Sequence, residues 1–187
     1  MNRERPLLSG ALHAMRRRRR PRRPRVPLTL TGFGLAAIGF AALAGPVPRV
    51  VWNASASAPL GLYWVNDATP SRGDLVLAEP PGEARRLAAE RGYLPEGVPL
   101  VKRLAALSGD IVCAVDDTVF VNGRSVARRL AHDGRGRPLP RWTGCRMLAG
   151  DELFLLMENV PDSFDGRYFG PTRGTTVLGR LVPLWTD

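Results

Sequence analysis

Between Arg25 and Arg49 the chain carries no charged side chain, and this gap of 23 residues, Val26 to Pro48, divides everything around it. A helix rises about 1.5 Å per residue, so a stretch of this length just crosses a hydrocarbon core of about 30 Å. Gly32, Gly34 and Gly39 weaken a helix in water but are common in membrane spans. Directly before the gap runs Arg16 to Arg25, RRRRRPRRPR, an almost pure Arg/Pro segment. The positive-inside rule keeps such a segment in the cytoplasm and sends the chain after Pro48 across the membrane. The expectation is a basic cytoplasmic tail over 1–25, a transmembrane anchor over 26–48 and an exported domain over 49–187. A second outcome stays open, because Ala42-Leu43-Ala44 spells a small-residue cleavage site that would make the span a removable signal peptide. The stretch is long for such a segment, which favours a retained anchor.

The formal charge of +10 on 187 residues suggests a nucleic-acid partner until it is located. Residues 1–25 hold ten Arg and one Glu, which leaves 17 cations and 16 acids for the remainder. The body is nearly neutral, so no nucleic-acid partner is expected. An Arg run beside an apolar span fits the anionic surface of a lipid bilayer better.

Residues 49–187 read as mainly β. Gly61 to Val65, Asp74 to Ala78, Leu100 to Leu104 and Asp110 to Val115 are short apolar-rich runs bounded by Gly, Pro or Asp. Asn122-Gly123, inside Thr118 to Val126, is the strongest short-range hairpin signal in the chain. Glu152 to Met157 and Thr175 to Leu184 supply further strands, and 131–144, rich in Gly, Pro and Arg, reads as a loop. Only Glu83 to Arg91 has helical composition, with Gly92 as its stop. The sum is a mostly-β domain with one short helix.

Cys113 and Cys145 are one possible pair, without the C-x-x-C spacing of zinc or thioredoxin-like sites. An exported domain favours a disulfide between them, and two separate buried thiols are the alternative.

The cations are the most informative count: 26 are Arg and one, Lys102, is Lys. Guanidinium stays protonated in proteins, whereas an amine in apolar surroundings can become neutral. Apolar neighbours on both sides of Lys102, Val98 to Val101 and Leu104 to Leu107, supply that setting. An Arg-biased composition that keeps one Lys by chance is the bland alternative. A Ser-His-Asp triad would have to use His132, in the Gly/Arg-rich loop, and nothing around it recommends that role. Serine has a better setting in Asn53-Ala-Ser55-Ala-Ser57-Ala-Pro59-Leu-Gly61-Leu-Tyr63, where small residues leave room for a substrate backbone and Pro59 and Gly61 would fix a tight turn. The alternative for that stretch is a flexible juxtamembrane linker.

Taken in order, these segments resemble the type I signal peptidases, serine proteases with a Ser/Lys dyad. Ser57 in Ser-Ala-Pro-Leu-Gly-Leu-Tyr is similar to the nucleophile motif of the conjugative-transfer (TraF-type) branch, where housekeeping members have Ser-Met-x-Pro. Val-Lys102-Arg-Leu-Ala-Ala-Leu-Ser-Gly-Asp resembles the general-base segment, with Ser108 where Pro is usual. Asp162-Ser163-Phe164-Asp165-Gly166-Arg167-Tyr168 resembles the last family box, usually D-S-R-Y, with Gly166 in place of that Ser.

The resemblance implies a signal-peptidase-like β-rich catalytic domain behind a single N-terminal transmembrane helix, and a serine endopeptidase without metal or cofactor. Ser57 would be the nucleophile and Lys102 the general base. The Ser57 N–H and the Ser55 hydroxyl would bind the oxyanion, Ser163 would orient Lys102, and Asp165 with Arg167 would form a supporting ion pair. The implied partner is a membrane-inserted, pilin-like precursor with small residues before the cleavage site, and the implied location is the bacterial inner membrane with the catalytic domain in the periplasm. Alternatives are a general signal peptidase for secreted proteins and a non-catalytic, membrane-anchored assembly protein of the same fold.

Overall fold

A computed structural model describes residues 25–44, with the side chains of 29–40, and residues 48–187. The basic tail expected over 1–25 lies outside the described residues except for Arg25. Helix and body separate into two units, divided after Pro46. α1 (Arg25–Ala44) takes in Arg25 and residues 26–44 of the charge-free stretch. Among the described residues no helix is both long and apolar enough to cross a membrane.

The body is built on antiparallel sheets. Its elements in chain order are β1 (Val50–Asn53), β2 (Gly61–Asn66), β3 (Leu75–Ala78), α2 (Gly82–Arg91), β4 (Leu100–Ala106), β5 (Ile111–Val115) and β6 (Thr118–Val121). Then come β7 (Arg124–Arg128), β8 (Gly144–Met147), β9 (Glu152–Leu156), α3 (Gly166–Phe169), β10 (Thr172–Arg173) and β11 (Val177–Thr186). A seven-stranded sheet has the order β1-β2-β11-β3-β4-β9-β10, and a four-stranded sheet the order β7-β6-β5-β8.

Every strand run expected from composition is present, with bounds shifted by one or two residues. The Asn122-Gly123 turn has φ of 50° and 80°, the two positive values a two-residue hairpin of this twist requires. The Asn122 side chain adds bonds to Ile111 N–H and Asp110 at 2.8 Å each.

Four details depart from expectation. Besides α2 there is a second helix in the body, the single turn α3, whose N-cap Asp165 accepts from the Arg167 N–H. A one-turn helix has no periodicity to read, so only the cap could have signalled it. Residues 174–176 form a 3₁₀ turn before β11 rather than the start of the strand. β1, β8 and β10, of two to four residues, are too short to show alternation. Finally, Gly61 does not fix a turn with Pro59. It opens β2 where β11 passes so close that a Cβ would lie 2.1 Å from the Trp185 carbonyl oxygen, at a φ of +148°.

Among the described residues three core clusters hold these strands together, the smallest made of Val76, Ala78, Leu104, Leu153 and Leu155; two are larger. One fills the space over the four-stranded sheet with Val112, Val119, Val126, Leu148, Phe154 and Leu156. The other gathers Ala58, Tyr63, Val65, Leu77, Val101 and Met157 around β2, β3 and β4. β4 is bonded to β3 on one side and β9 on the other, so most of its side chains are buried, Lys102 among them.

Candidate active site

Ser57 lies on the turn that links β1 to β2. Asn53, the last residue of β1 and only 3% exposed, organises this turn. Its amide donates to the carbonyls of Ser55, Ala58 and Pro59 at 3.0, 3.1 and 2.9 Å, and its Oδ1 accepts from the Ser55 N–H at 3.1 Å. The Tyr63 hydroxyl donates to the same Pro59 carbonyl at 2.7 Å. Neither Asn53 nor Tyr63 stands out in the sequence as a site residue. The signal available was the Asx pattern, an Asn placed to bond the backbone two residues on. The stretch is thus an ordered turn and not the flexible linker of the alternative reading.

Lys102 reaches this turn from the middle of β4, in register with Val76 of β3. Its Nζ donates to Ser57 Oγ and to Ser163 Oγ, both at 2.9 Å. Lys102 is 3% exposed, and burial pushes its ammonium down to about pH 8; the charge of Arg167 adds to that, while Asp165 and Asp162 oppose it. A lysine held there is about one-tenth neutral at pH 7, far more than a solvent-exposed lysine.

Ser163 is presented by the segment between β9 and α3, and the buried pair Asp165–Arg167 pins that segment. Arg167 Nε donates to Asp165 Oδ1 at 2.8 Å, and Arg167 also donates to the carbonyls of Met157 and Pro161 at 2.7 and 3.0 Å. Asp165 Oδ2 accepts from the Met157 N–H at 3.0 Å. Both side chains are essentially unexposed, so each charge depends on the other and on these carbonyl and N–H partners.

Ser55 faces the nucleophile: Ser55 Oγ and Ser57 Oγ are 2.9 Å apart, and the Ser57 N–H points to Ser55 Oγ at 3.4 Å. Ser55, Ser57, Lys102 and Ser163 therefore converge, with Asp165 and Arg167 directly behind. His132 stays apart, exposed and bridged to Pro138. Cys113 and Cys145 are joined by a disulfide across β5 and β8, in the four-stranded sheet. Among the described residues no group of three His, Cys, Asp or Glu is placed to hold a metal ion. A cavity of about 400 Å³ opens from Ser55, Ser57 and Lys102.

The profile of the signal peptidase, peptidase S26, family matches residues 23–185. The chain belongs to the signal peptidase S26 family. It is 38% identical over 162 residues to a plasmid transfer protein TraF of Escherichia coli, covering 81% of this chain and 88% of that one. A conjugal transfer protein TraF of Agrobacterium tumefaciens (strain 15955) is 35% identical over 145 residues, 72% of this chain and 81% of the relative. Signal peptidase I V of Bacillus subtilis is 30% identical over 95 residues, 46% of this chain and 56% of that protein. The conjugative-transfer branch of the peptidase family is thus the one this chain matches over most of its length.

Membership gives Gly166 its interest, because the family's box usually has Ser there. A Cβ at Gly166 would meet the Leu155 carbonyl oxygen at 2.7 Å and the Phe154 ring at 2.8 Å. The Gly166 carbonyl accepts from Trp142 Nε1 at 2.9 Å. In this peptidase-family member the Leu155 carbonyl and the Phe154 ring occupy the room a serine side chain would need, while Ser163, Asp165 and Arg167 keep their contacts.

Proposed function

We propose that the protein is a membrane-anchored serine endopeptidase that uses Ser57 and Lys102 to cleave the leader peptide of a pilin-like precursor for conjugative transfer. The observation that carries the reading is the pair of 2.9 Å contacts from Lys102 Nζ to Ser57 Oγ and Ser163 Oγ, made by an amine whose burial favours its neutral form. Once neutral, Lys102 Nζ offers a lone pair to the Ser57 hydroxyl along the same line.

The chemistry then runs in two halves. Ser57 Oγ adds to the scissile carbonyl carbon as its proton passes to Lys102, and the oxyanion is met by the Ser57 N–H and a rotated Ser55 hydroxyl. The carbon–nitrogen bond breaks, Lys102 returns the proton to the leaving amine, and an ester on Ser57 remains. Water activated by Lys102 releases the segment N-terminal to the cut as a free acid; where the cut lies at the C-terminal end of the pilin, so that the pilin is the acyl group, its own N-terminal amine would release it as a ring.

A membrane-inserted precursor suits an anchored enzyme, because tethering raises the effective concentration of a cleavage site near the outer leaflet. Two features support this placement. The charge-free helix follows an Arg run, as the positive-inside rule requires of an anchor with its N-terminus in the cytoplasm. On the body, Trp52, Trp64 and Trp185 are 57, 43 and 54% exposed on neighbouring strands, the residue type enriched at membrane–water boundaries. Protease added to intact spheroplasts should digest the body and spare the tail; a protected body contradicts the topology.

A general signal peptidase for secreted proteins is the nearest rival, and the TraF relatives favour the conjugative substrate over it. Incubating the detergent-solubilised protein with pilin precursors and with secreted preproteins, and weighing the products, tests both. Mass separates no cleavage, hydrolysis and ring closure, and intact precursors throughout would favour a non-catalytic assembly role.

A further inference from the structure

The cavity does not end at Ser57 and Lys102. It runs on to the 131–140 segment, whose contacts take no part in the chemistry above. Asp133 is the hub of that segment. Its Oδ2 accepts from the Tyr93 hydroxyl and, at 2.7 Å, from Arg137 Nε, and its Oδ1 accepts from the N–H groups of Arg135 and Arg137 at 2.9 Å each. Arg91 donates to the Pro138 carbonyl at 2.8 Å and Arg137 to the Arg91 carbonyl at 3.3 Å, so bonds in both directions clamp the segment to the end of α2. The Arg137 guanidinium lies 5.5 Å from the Tyr93 ring centre.

This clamp decides what the cavity can take. A carboxylate has about four acceptor sites, and Asp133 already meets four donors. Burial alone would raise the Asp133 carboxyl, but the bonds from Tyr93, Arg137 and Arg135 outweigh it and hold the group far below the usual carboxylate range. Asp133 therefore has no acceptor to spare for a cationic ligand. Leu94, Leu130, Leu139 and Phe164 give this end of the cavity an apolar wall, while the exposed Asp162, next to Ser163 in sequence, also lines the cavity. Leu130 is 41% exposed although it lines a concavity, the condition of an apolar side chain that awaits a partner. The whole cavity, its Ser57–Lys102 end included, measures about 400 Å³, within the range of about 300–1,000 Å³ common for ligand pockets, so it has room for more of the substrate than small side chains.

We propose, on the peptidase reading above, that this end of the cavity is a subsite for one bulky apolar side chain of the precursor close to the scissile bond, and that Asp133 is the positioning residue that holds its outer wall. Continuity with Ser57 and Lys102 in one cavity makes the occupant a part of the substrate. The subsite adds to the small residues expected before the cut and makes a single large residue near them a requirement for tight binding.

Binding of peptides to the full-length Ser57→Ala protein in detergent tests this without turnover. The probes are ten-residue Ala/Ser peptides in which Phe, Ala or Lys is walked through every position. At one position Phe should tighten binding at least about tenfold over Ala. Leu139→Asp and, at an exposed position that tolerates change, Leu130→Asp should each bring the Phe/Ala ratio close to one. Asp133→Ala should lower that ratio too, whereas a purely structural loss would weaken both peptides alike, and Asp133→Glu should restore part of it. Equal affinity for Phe and Ala at all positions, a preference for Lys, or a Phe preference that survives both leucine variants would overturn the subsite. The two readings fail separately. Wild-type protein that cleaves precursors with no such preference sinks the subsite alone, and protein that binds the Phe peptide but cleaves nothing sinks the peptidase reading and leaves the subsite standing.

Discussion

Ser57 and Lys102 touch, yet they belong to opposite settings. Ser57 sits on a half-exposed turn whose shape is imposed by one buried amide, that of Asn53. Lys102 sits in the middle of a strand with neighbours on both sides and is 3% exposed. A nucleophile must be reached by a peptide backbone, which requires an open turn. A general base built from lysine must be kept dry, because desolvation is the largest of the effects that bring this amine toward neutrality. The body separates these demands between two elements and lets a long side chain join them at 2.9 Å.

The hardest test of that division is Lys102→Arg. Arginine keeps the charge and much of the length, so an ion pair would survive the change, but a guanidinium cannot become a base near neutral pH. The variant should remain folded and lose at least about a hundredfold in cleavage rate, within the range of about 10²–10⁴ for general-base contributions. Ser57→Ala should be equally inactive, and the double variant no worse than either single one, as for residues that act as a unit. Near-normal cleavage of a precursor by Lys102→Arg would end the dyad reading.

The two settings also explain what could be read in advance. Lys102 was legible because composition isolates it, one lysine among 26 arginines, with apolar neighbours on both sides. Apart from β1, β8 and β10, the strands were legible because each is a short apolar run with turn residues at its ends. Asn53 was not, because an Asx pattern alone does not say which polar residue will be buried, and only the folded turn shows one amide meeting carbonyls two, five and six residues away. The closeness of β11 to Gly61 depends on a pairing more than a hundred residues apart, and nothing local announces it. The reason for glycine at 166 needed β9, with the Leu155 carbonyl and the Phe154 ring, in place.

Stability should sharpen the contrast between the buried and exposed sides. Arg167→Met removes one partner of the unexposed pair and leaves Asp165 charged among groups chosen for its neighbour. A loss of about 3–5 kcal/mol is expected from denaturant unfolding, typical of breaking a buried pair. Ser57→Ala, on the turn, should cost no more than about 0.5 kcal/mol by the same measurement. Equal costs would mean that the turn is as deeply built into the core as the segment behind Lys102.

Removing the Cys113–Cys145 disulfide probes a region outside the comparison, since it joins β5 and β8 of the other sheet. The bond closes a sequence separation of 32 residues, for which about 4 kcal/mol of stabilisation is expected. Cys113→Ala with Cys145→Ala should lower the unfolding midpoint accordingly while Ser57 keeps its reactivity toward an acylating probe. Loss of probe labelling in protein that is still folded would tie the four-stranded sheet to the dyad.

The smallest effect discriminates most finely, because it concerns the single bond that connects Lys102 to the segment behind it. In the wild type, kcat/KM should rise with pH and level off above about 8, as the Lys102 ammonium loses its proton and becomes able to accept one from Ser57. Ser163 Oγ accepts a bond from Lys102 Nζ at 2.9 Å, and that bond is stronger to the ammonium than to the neutral amine. Ser163→Ala therefore removes more support from the charged form than from the neutral one, and the midpoint should move to lower pH. The plateau should fall about tenfold, near the value of one hydrogen bond, because the amine loses its orientation toward Ser57. A serine that merely fills a turn would give a lower plateau with an unmoved midpoint. A midpoint that rises would mean that Ser163 favours the neutral amine, and the orienting role would then have to pass to another group around Lys102.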